Sequence, residues 1–257
     1  MMQPETRILL LLCASSAALV VLAVAWLYLW WEQKKFSRRV AEILLAAGLE
    51  KTGQDRYRAS FNGRDFDVYF FPAHNSGRAR IGPTLELRLR GVFNAQLVVA
   101  LPKFLAQSKL SAWLQPTIRE TPWEINPAGF GGYLVFTAER VSAAQFLEMP
   151  PARQAILALL DNFGLQQVAL SIFPNILRFQ VRQFDPEALT PDLIRRWLKD
   201  LDQIASLAGQ LPPISSETLE KARQLVRQRA RPRVFQYWML GLTFFLFISI
   251  LFYLLRR

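Results

Sequence analysis

Two long runs of apolar residues, one near each end of the chain, contain no Asp, Glu, Lys or Arg. They extend from Ile8 to Trp31 and from Val234 to Leu255. A helix needs about 20 apolar residues to cross a bilayer, and each run is long enough. The pattern therefore predicts transmembrane helices at 8–31 and 234–255, and it places all the residues between them on one side of the membrane.

Basic residues at the ends of these runs predict which side that is. Ten Lys and Arg residues stand at the inner ends of the two runs, against three at the outer ends. By the positive-inside rule, the region between the runs is expected to be cytoplasmic, and both termini, including residues 1–7, extracytoplasmic, in a cell-membrane protein with two spans. The inner basic residues that we expect to contact anionic lipid headgroups are Lys34, Lys35, Arg38, Arg39, Arg223, Arg227, Arg229, Arg231 and Arg233.

The region after the first run begins with a helical pattern and continues with alternating segments typical of a sheet. Apolar residues recur at helical spacing over 32–48, where Gly48 can end a stalk helix. Asn62-Gly63 then joins the alternating segments 56–61 and 64–71, which is the strongest short signal for a β-hairpin. After a polar loop at 74–83, the segment 84–90 predicts a strand, and a further strand at 95–101 is expected to pair with it.

The second half of the middle region mixes helices and strands. A strand is predicted at 133–138, a turn at 142–149, a helix at 151–162, a second hairpin about Pro174-Asn175, and a helix that Thr190 caps and that ends before Gly209. Residues 214–233 predict a basic helix next to the membrane. The segment 49–211 is therefore expected to be one cytoplasmic α+β domain with a mostly antiparallel sheet.

The net charge is +11, and the positions of the basic residues along the chain indicate which kinds of partner it favours. Residues 40–216 contain 18 Lys and Arg against 16 Asp and Glu, so this region carries only +2 and the basic excess lies beside the predicted spans. Lipid contact and topology explain such a charge, and no motif that reads bases or phosphates accompanies it. We therefore expect anionic lipid headgroups as partners, together with a protein partner or a second copy of the chain, and no nucleic acid.

Few residues in the chain could carry catalysis or bind a metal. The sequence has one cysteine, Cys13, inside the first apolar run, and one histidine, His74, in the polar loop. Asp65 and Asp67 share a strand face, where a cation or proton could bind, but no third ligand accompanies them. No catalytic residue, metal site or cofactor is predicted.

Four arginines form the most distinctive polar cluster. Arg88 and Arg90 fall on one face of the strand at 84–90, and two more arginines precede it closely. Guanidinium groups suit carboxylate or phosphate ligands, although a solvent-facing strand surface that includes Glu86 would have the same pattern. The anion or lipid-headgroup candidates are Arg78, Arg80, Arg88 and Arg90.

These observations favour a non-enzymatic scaffold or protein-interaction domain that two transmembrane helices hold at the membrane surface. Two alternatives stay open: an enzyme that acts on a lipid or on a substrate delivered by the membrane, and an accessory subunit of a transport complex. A transporter subunit would need a partner to supply the polar pathway, because the predicted spans contain no charged side chain.

Overall fold

The computed structural model describes residues 4–76, 79–102, 123–161, 167–221 and 224. For residues 4–19, 74–76 and 79–81 it describes the backbone alone. The second predicted span at 234–255 and most of the predicted basic helix lie outside the described residues. Within the part of the chain that the structure describes, no helix is at once long enough and apolar enough to cross a membrane.

One long helix, α1, covers Pro4–Ala46. It includes the predicted stalk, and it ends where the sequence predicts, because Gly48 adopts a positive φ of 92° that favours glycine. At 1.5 Å per residue, the 43 residues of α1 extend over about 65 Å. The last two turns enter the domain, where Val40 and Leu44 are fully buried.

A nine-stranded antiparallel sheet forms the centre of the domain, so the predicted α+β class is confirmed. Its order is β1-β2-β3-β6-β11-β10-β7-β9-β8. Two further strands, β4 and β5, form a separate small hairpin within the segment predicted as a loop, and that prediction is wrong. The strands are β1 Glu50–Lys51, β2 Arg56–Phe61, β3 Arg64–Phe71, β4 His74–Ser76, β5 Ala79–Ile81, β6 Thr84–Arg90, β7 Leu97–Ala100, β8 Trp123–Ile125, β9 Leu134–Thr137, β10 Gln167–Phe173 and β11 Ile176–Arg182.

Both hairpins predicted from the sequence are present in the sheet. Asn62 and Gly63 have the positive φ values, 49° and 76°, that a tight turn between β2 and β3 requires. The second hairpin joins β10 and β11 about Pro174 and Asn175.

The predicted pairing of the strands on either side of Gly91–Asn94 is wrong. The β10–β11 hairpin lies between β6 and β7, so β6 pairs with β11 and β7 pairs with β10. The connection instead crosses the tip of that hairpin, where the amide of Gly91 donates to the carbonyl of Asn175 and the amide of Phe93 to that of Pro174. These hydrogen bonds satisfy the backbone of the crossing, which therefore does not need a direct β6–β7 ladder.

The described helices that follow β9 in the chain pack mainly on one face of the sheet. They are α2 Arg140–Glu148, α3 Pro150–Leu160, a 3₁₀ turn Pro186–Ala188, and α4 Pro191–Gln210. The predicted turn at 142–149 is helical, because the Glu139 carboxylate accepts hydrogen bonds from the amides of Val141 and Ser142 and so caps α2. Thr190 caps α4 as predicted, although this helix continues through Gly209. A further turn of helix begins at 216.

The hydrophobic core lies between the sheet and these helices. Inward residues of the central strands are almost completely buried, among them Phe66, Leu87 and Phe179. Trp197 of α4 packs edge-on against Phe179, with 5.1 Å between the ring centroids. We call this the inner face of the sheet, and the opposite face the outer face.

Candidate functional site

Six arginines lie on the outer face formed by four neighbouring strands, β2, β3, β6 and β11, and come in pairs from β2, β6 and β11. Strand register places them in adjacent rows, with Arg58, Asp67, Arg88 and Arg178 in a single row across the sheet. The outer positions of these strands carry three acidic residues, Asp65, Asp67 and Glu86, so the surface has a formal excess of three positive charges. We call it the arginine face; its arginines are Arg56, Arg58, Arg88, Arg90, Arg178 and Arg182.

Glu86 is the centre of this arrangement, and it is buried. Its side chain is only 4% exposed, so the expectation of a solvent-facing Glu86 is wrong. Its carboxylate pairs with the guanidinium of Arg88, lies 2.8 Å from Nε of Arg178, and accepts a hydrogen bond of 2.8 Å from the side-chain amide nitrogen of Gln180. A buried carboxylate requires such partners, because an unpaired buried charge is strongly unfavourable.

Burial and the charge of Glu86 act in opposite directions on the pKa values of two arginines, and the balance differs between them. Burial acts to lower the pKa of Arg88, but the hydrogen bond and the negative charge of Glu86 outweigh it, and the pKa is raised. Burial lowers the pKa of Arg182, and the Glu86 charge offsets this only in part. Both groups are far from titrating near neutral pH, so the arginine face is cationic there.

An aromatic ring, that of Tyr69, contacts both Arg88 and a further arginine of this face, Arg56. The guanidinium carbon of Arg88 lies 4.3 Å from the centre of the Tyr69 ring, and that of Arg56 lies 5.1 Å from it. Arg56 also donates a hydrogen bond of 3.1 Å to the Tyr69 hydroxyl. These contacts place both guanidinium groups close to the Tyr69 ring and restrict the two side chains.

The outer edge of the arginine face is exposed. Asp67 lies within 3.9 Å of Arg58 and 3.8 Å of Arg90, so it pairs loosely with both. The Arg58 and Arg90 side chains are 53% and 76% exposed, whereas that of Asp67 is 19% exposed. The carboxylate therefore lies beneath the guanidinium groups, and solvent meets mainly positive charge.

The structure brings together only part of the cluster predicted from the sequence. Arg88 and Arg90 share the outer face of β6, as predicted. Arg78 lies outside the described residues, and Arg80 is described only as backbone in β5. Asp65 and Asp67 do share one face, but Ser60 donates to Asp65 and arginines flank Asp67. In the described part of the chain, no group of three or more metal-binding side chains occurs.

Four of the six arginines were missed by sequence reasoning, namely Arg56, Arg58, Arg178 and Arg182. The available signal was the alternation of arginine with apolar residues in β2 and β11. This alternation indicates a shared surface only once β11 is known to pair with β6, because that pairing brings residues more than 80 positions apart in the sequence side by side.

A second feature is a groove where α1 meets the ends of β3, β6 and β11. Its volume is about 1180 Å³. Gly82 forms part of its wall by close approach, since a Cβ at this position would lie 2.4 Å from Cγ of Gln183. Gln33 of α1 donates a hydrogen bond of 2.8 Å to the Ala73 carbonyl across one end. Other lining residues include Trp26, Leu29, Trp30, Lys35, Phe36, Arg39, Pro72, Pro83, Phe184 and Glu187.

The predicted basic residues of α1 are partly engaged beside this groove. Lys34 and Lys35 place their ammonium groups 4.8 and 5.4 Å from the ring centres of Trp30 and Trp31. Arg39 lies 3.8 Å from Glu187 in an exposed ion pair. The C-terminal basic residues from Arg223 to Arg233 lie outside the described residues.

Comparison with models of known protein families and with curated proteins finds no match to this chain.

Proposed function

We propose that this chain is an integral membrane protein whose two predicted spans, 8–31 and 234–255, hold its α+β domain at the cytoplasmic surface as a protein-interaction module. The described side chains of α1 begin at Val20, inside the first predicted span. One observation carries it: α1 continues without a break from the apolar run into the core of the domain.

The exposed surface of α1 supports an anchor. Every residue from Val20 to Trp31 is exposed, and the large apolar side chains among them are 48–67% exposed. A helix that is apolar on all sides needs an apolar surrounding, and a bilayer supplies one.

The connection between this anchor and the domain is short and rigid. Trp31 and Val40 are separated by nine residues of helix, or about 13 Å. Phe36, within this stretch, stacks on Phe70 of the sheet and packs against Phe184, with ring centroids 6.0 and 5.8 Å apart. A bilayer that ends near Trp31 would therefore lie close to the groove, with Lys34 and Lys35 at the level of its headgroups.

The test maps where the chain lies in intact cells. In a Cys13→Ser background, single cysteines replace the exposed Gln54 and, separately, Ser76, and a third is added after Arg257. We expect the chain to resist alkaline carbonate extraction. A membrane-impermeant thiol reagent should miss the two domain cysteines in intact cells, modify them after permeabilisation, and modify the C-terminal cysteine in both states. Extraction by carbonate would refute the anchor, and modification of the Gln54→Cys variant in intact cells would refute the orientation.

The groove favours a second candidate, a domain that takes up lipid at the membrane surface. Indole and aliphatic side chains line it together with Lys35 and Arg39, which suits an amphiphile. A photoreactive residue in place of Ala73, at the groove, should then crosslink to phospholipid. The same residue in place of Val92, which is 80% exposed at the other end of β6, should not. Equal crosslinking at both positions would argue against a specific role for the groove.

A further inference from the structure

We propose that the arginine face binds an acidic segment of a protein partner, one that presents several carboxylates along a strand or a helix face. The inference rests on the proposed function, because it names the partner class of that interaction module and the surface that the partner contacts.

The depth at which the charged groups of this face lie below the protein surface supports the inference. The carboxylates of Glu86 and Asp67 lie low, at 4% and 19% side-chain exposure, whereas Arg58 and Arg90 extend above them. An approaching partner therefore meets guanidinium groups first. Carboxylates are their best-matched protein ligands, since the planar fork can bind both oxygens at once.

The spacing of the arginines suits a peptide. Arg88 and Arg90 are two residues apart on β6, which puts them about 6.6 Å apart along the strand, and Arg178 lies one strand further, about 4.8 Å away. Carboxylates at alternate positions of an extended segment, or three and four residues apart on a helix, recur at similar distances.

Two of the arginines, Arg88 and Arg178, are also held in place before any partner binds. Arg88 is fixed by Glu86 and Tyr69, and Arg178 by Glu86. Side chains that are already ordered lose less conformational entropy on binding. Glu86 thus positions the guanidinium groups, and the excess of arginine over acid on this face leaves them cationic.

The position of the arginine face favours a protein over the bilayer. Strand β6 begins at the groove, beside Pro83, and Arg90 at its other end is about 20 Å away along the strand. That distance exceeds two screening lengths at physiological salt, which are about 8 Å each. Lipid headgroups beside Trp30 and Trp31 are therefore poorly placed to neutralise Arg58 and Arg90.

The experiment uses the full chain in nanodiscs of neutral phosphatidylcholine. The probe is a fluorescent peptide rich in glutamate, and a peptide with glutamine at the same positions is its control. We expect the glutamate peptide to bind more tightly than the glutamine peptide at about 50 mM salt and to dissociate as salt rises.

Paired variants then locate the binding surface. Arg58→Gln with Arg90→Gln should weaken binding about tenfold. The matched control, Arg196→Gln with Lys199→Gln, removes two exposed charges from α4 and should change binding less than twofold. A near-UV circular dichroism melt verifies that both variants stay folded, which the exposure of the substituted side chains favours.

Three outcomes would overturn the inference. The first is equal binding of the glutamate and glutamine peptides, and the second is equal weakening of binding by both pairs of substitutions. The third is that, when anionic lipid replaces phosphatidylcholine, the peptide no longer binds at Arg58 and Arg90. The last outcome would assign the face to the bilayer. Binding can also be measured in detergent micelles, so failure of peptide binding in a chain that passes carbonate extraction refutes this inference alone. A chain that fails extraction but binds the peptide refutes only the anchor.

Discussion

The two faces of the sheet are built from the same strands and stabilise the domain in different ways. On β6, the inward Leu85, Leu87 and Leu89 are buried against helices, whereas the outward Glu86, Arg88 and Arg90 form an ion-paired surface. The inner face depends on close packing, which is insensitive to charge. The outer face contains a buried charge, that of Glu86, which is stable only while its ion-pair and hydrogen-bond partners are present. The difference shows that one strand can supply both a hydrophobic core and a charged surface.

The largest expected effect is on the inner face. Replacing Phe179 by alanine removes a fully buried ring that packs on Trp197, and the cavity should lower the free energy of unfolding by about 3–5 kcal/mol. The matched control is Ile176→Ala on the outer side of the same strand, with a cost of about 1 kcal/mol or less. Thermal unfolding of the full chain in mild detergent measures both. Similar losses for the two variants would contradict the division between the faces.

A smaller effect is expected on the outer face. Glu86→Ala leaves Arg88 and Arg178 without their buried counter-charge and should lower the free energy of unfolding by about 2–3 kcal/mol. Glu86→Gln keeps the shape and part of the hydrogen bonding, so it should cost less. Arg90→Ala, at an exposed ion pair, should cost about 0.5 kcal/mol or less. If Glu86→Ala were as mild as Arg90→Ala, Glu86 would not organise this face.

The smallest expected effect is on Glu139. Its carboxylate is bound by amide and hydroxyl groups at the start of α2, whereas that of Glu86 is bound mainly by arginines. Burial acts to raise the pKa of Glu139, but hydrogen bonds from Ser142 and Val141 outweigh it and hold the pKa below its ordinary value of 4.5. The lowered pKa means that the folded state prefers the charged carboxylate. Its contribution to stability is therefore fully present above about pH 4.5 and is lost as the pH falls through the lower folded value. Glu139→Ala should cost about 1 kcal/mol at neutral pH.

The measurement for Glu139 is the difference in melting temperature between parent and variant across this pH range. Glu148→Ala, at the other end of α2, is the matched control, because it removes a glutamate from the same helix and leaves the N-terminal cap intact. A difference that stays constant into acid would argue against the cap.

The sequence predicted local elements well and long-range pairing poorly. Asn62-Gly63 and Thr190-Pro191 act through neighbouring backbone, so their turn and cap could be inferred from a few residues. The position of β11 beside β6 depends on which hydrophobic faces meet across the whole domain, and no local motif encodes it. For the same reason the local sequence indicates a solvent-facing Glu86. Its ion-pair partner Arg178 and its hydrogen-bond donor Gln180 both belong to that distant strand.

Because the β10–β11 hairpin lies between β6 and β7, the sheet cannot be completed until late in the synthesis of the chain. A ribosome releases β6 and β7 well before Arg182, the last residue of β11, is made. Until then the emerging chain carries two half-sheets with open edges, which can pair with strands of other chains. The domain can close only in its final third, by slow non-local pairing.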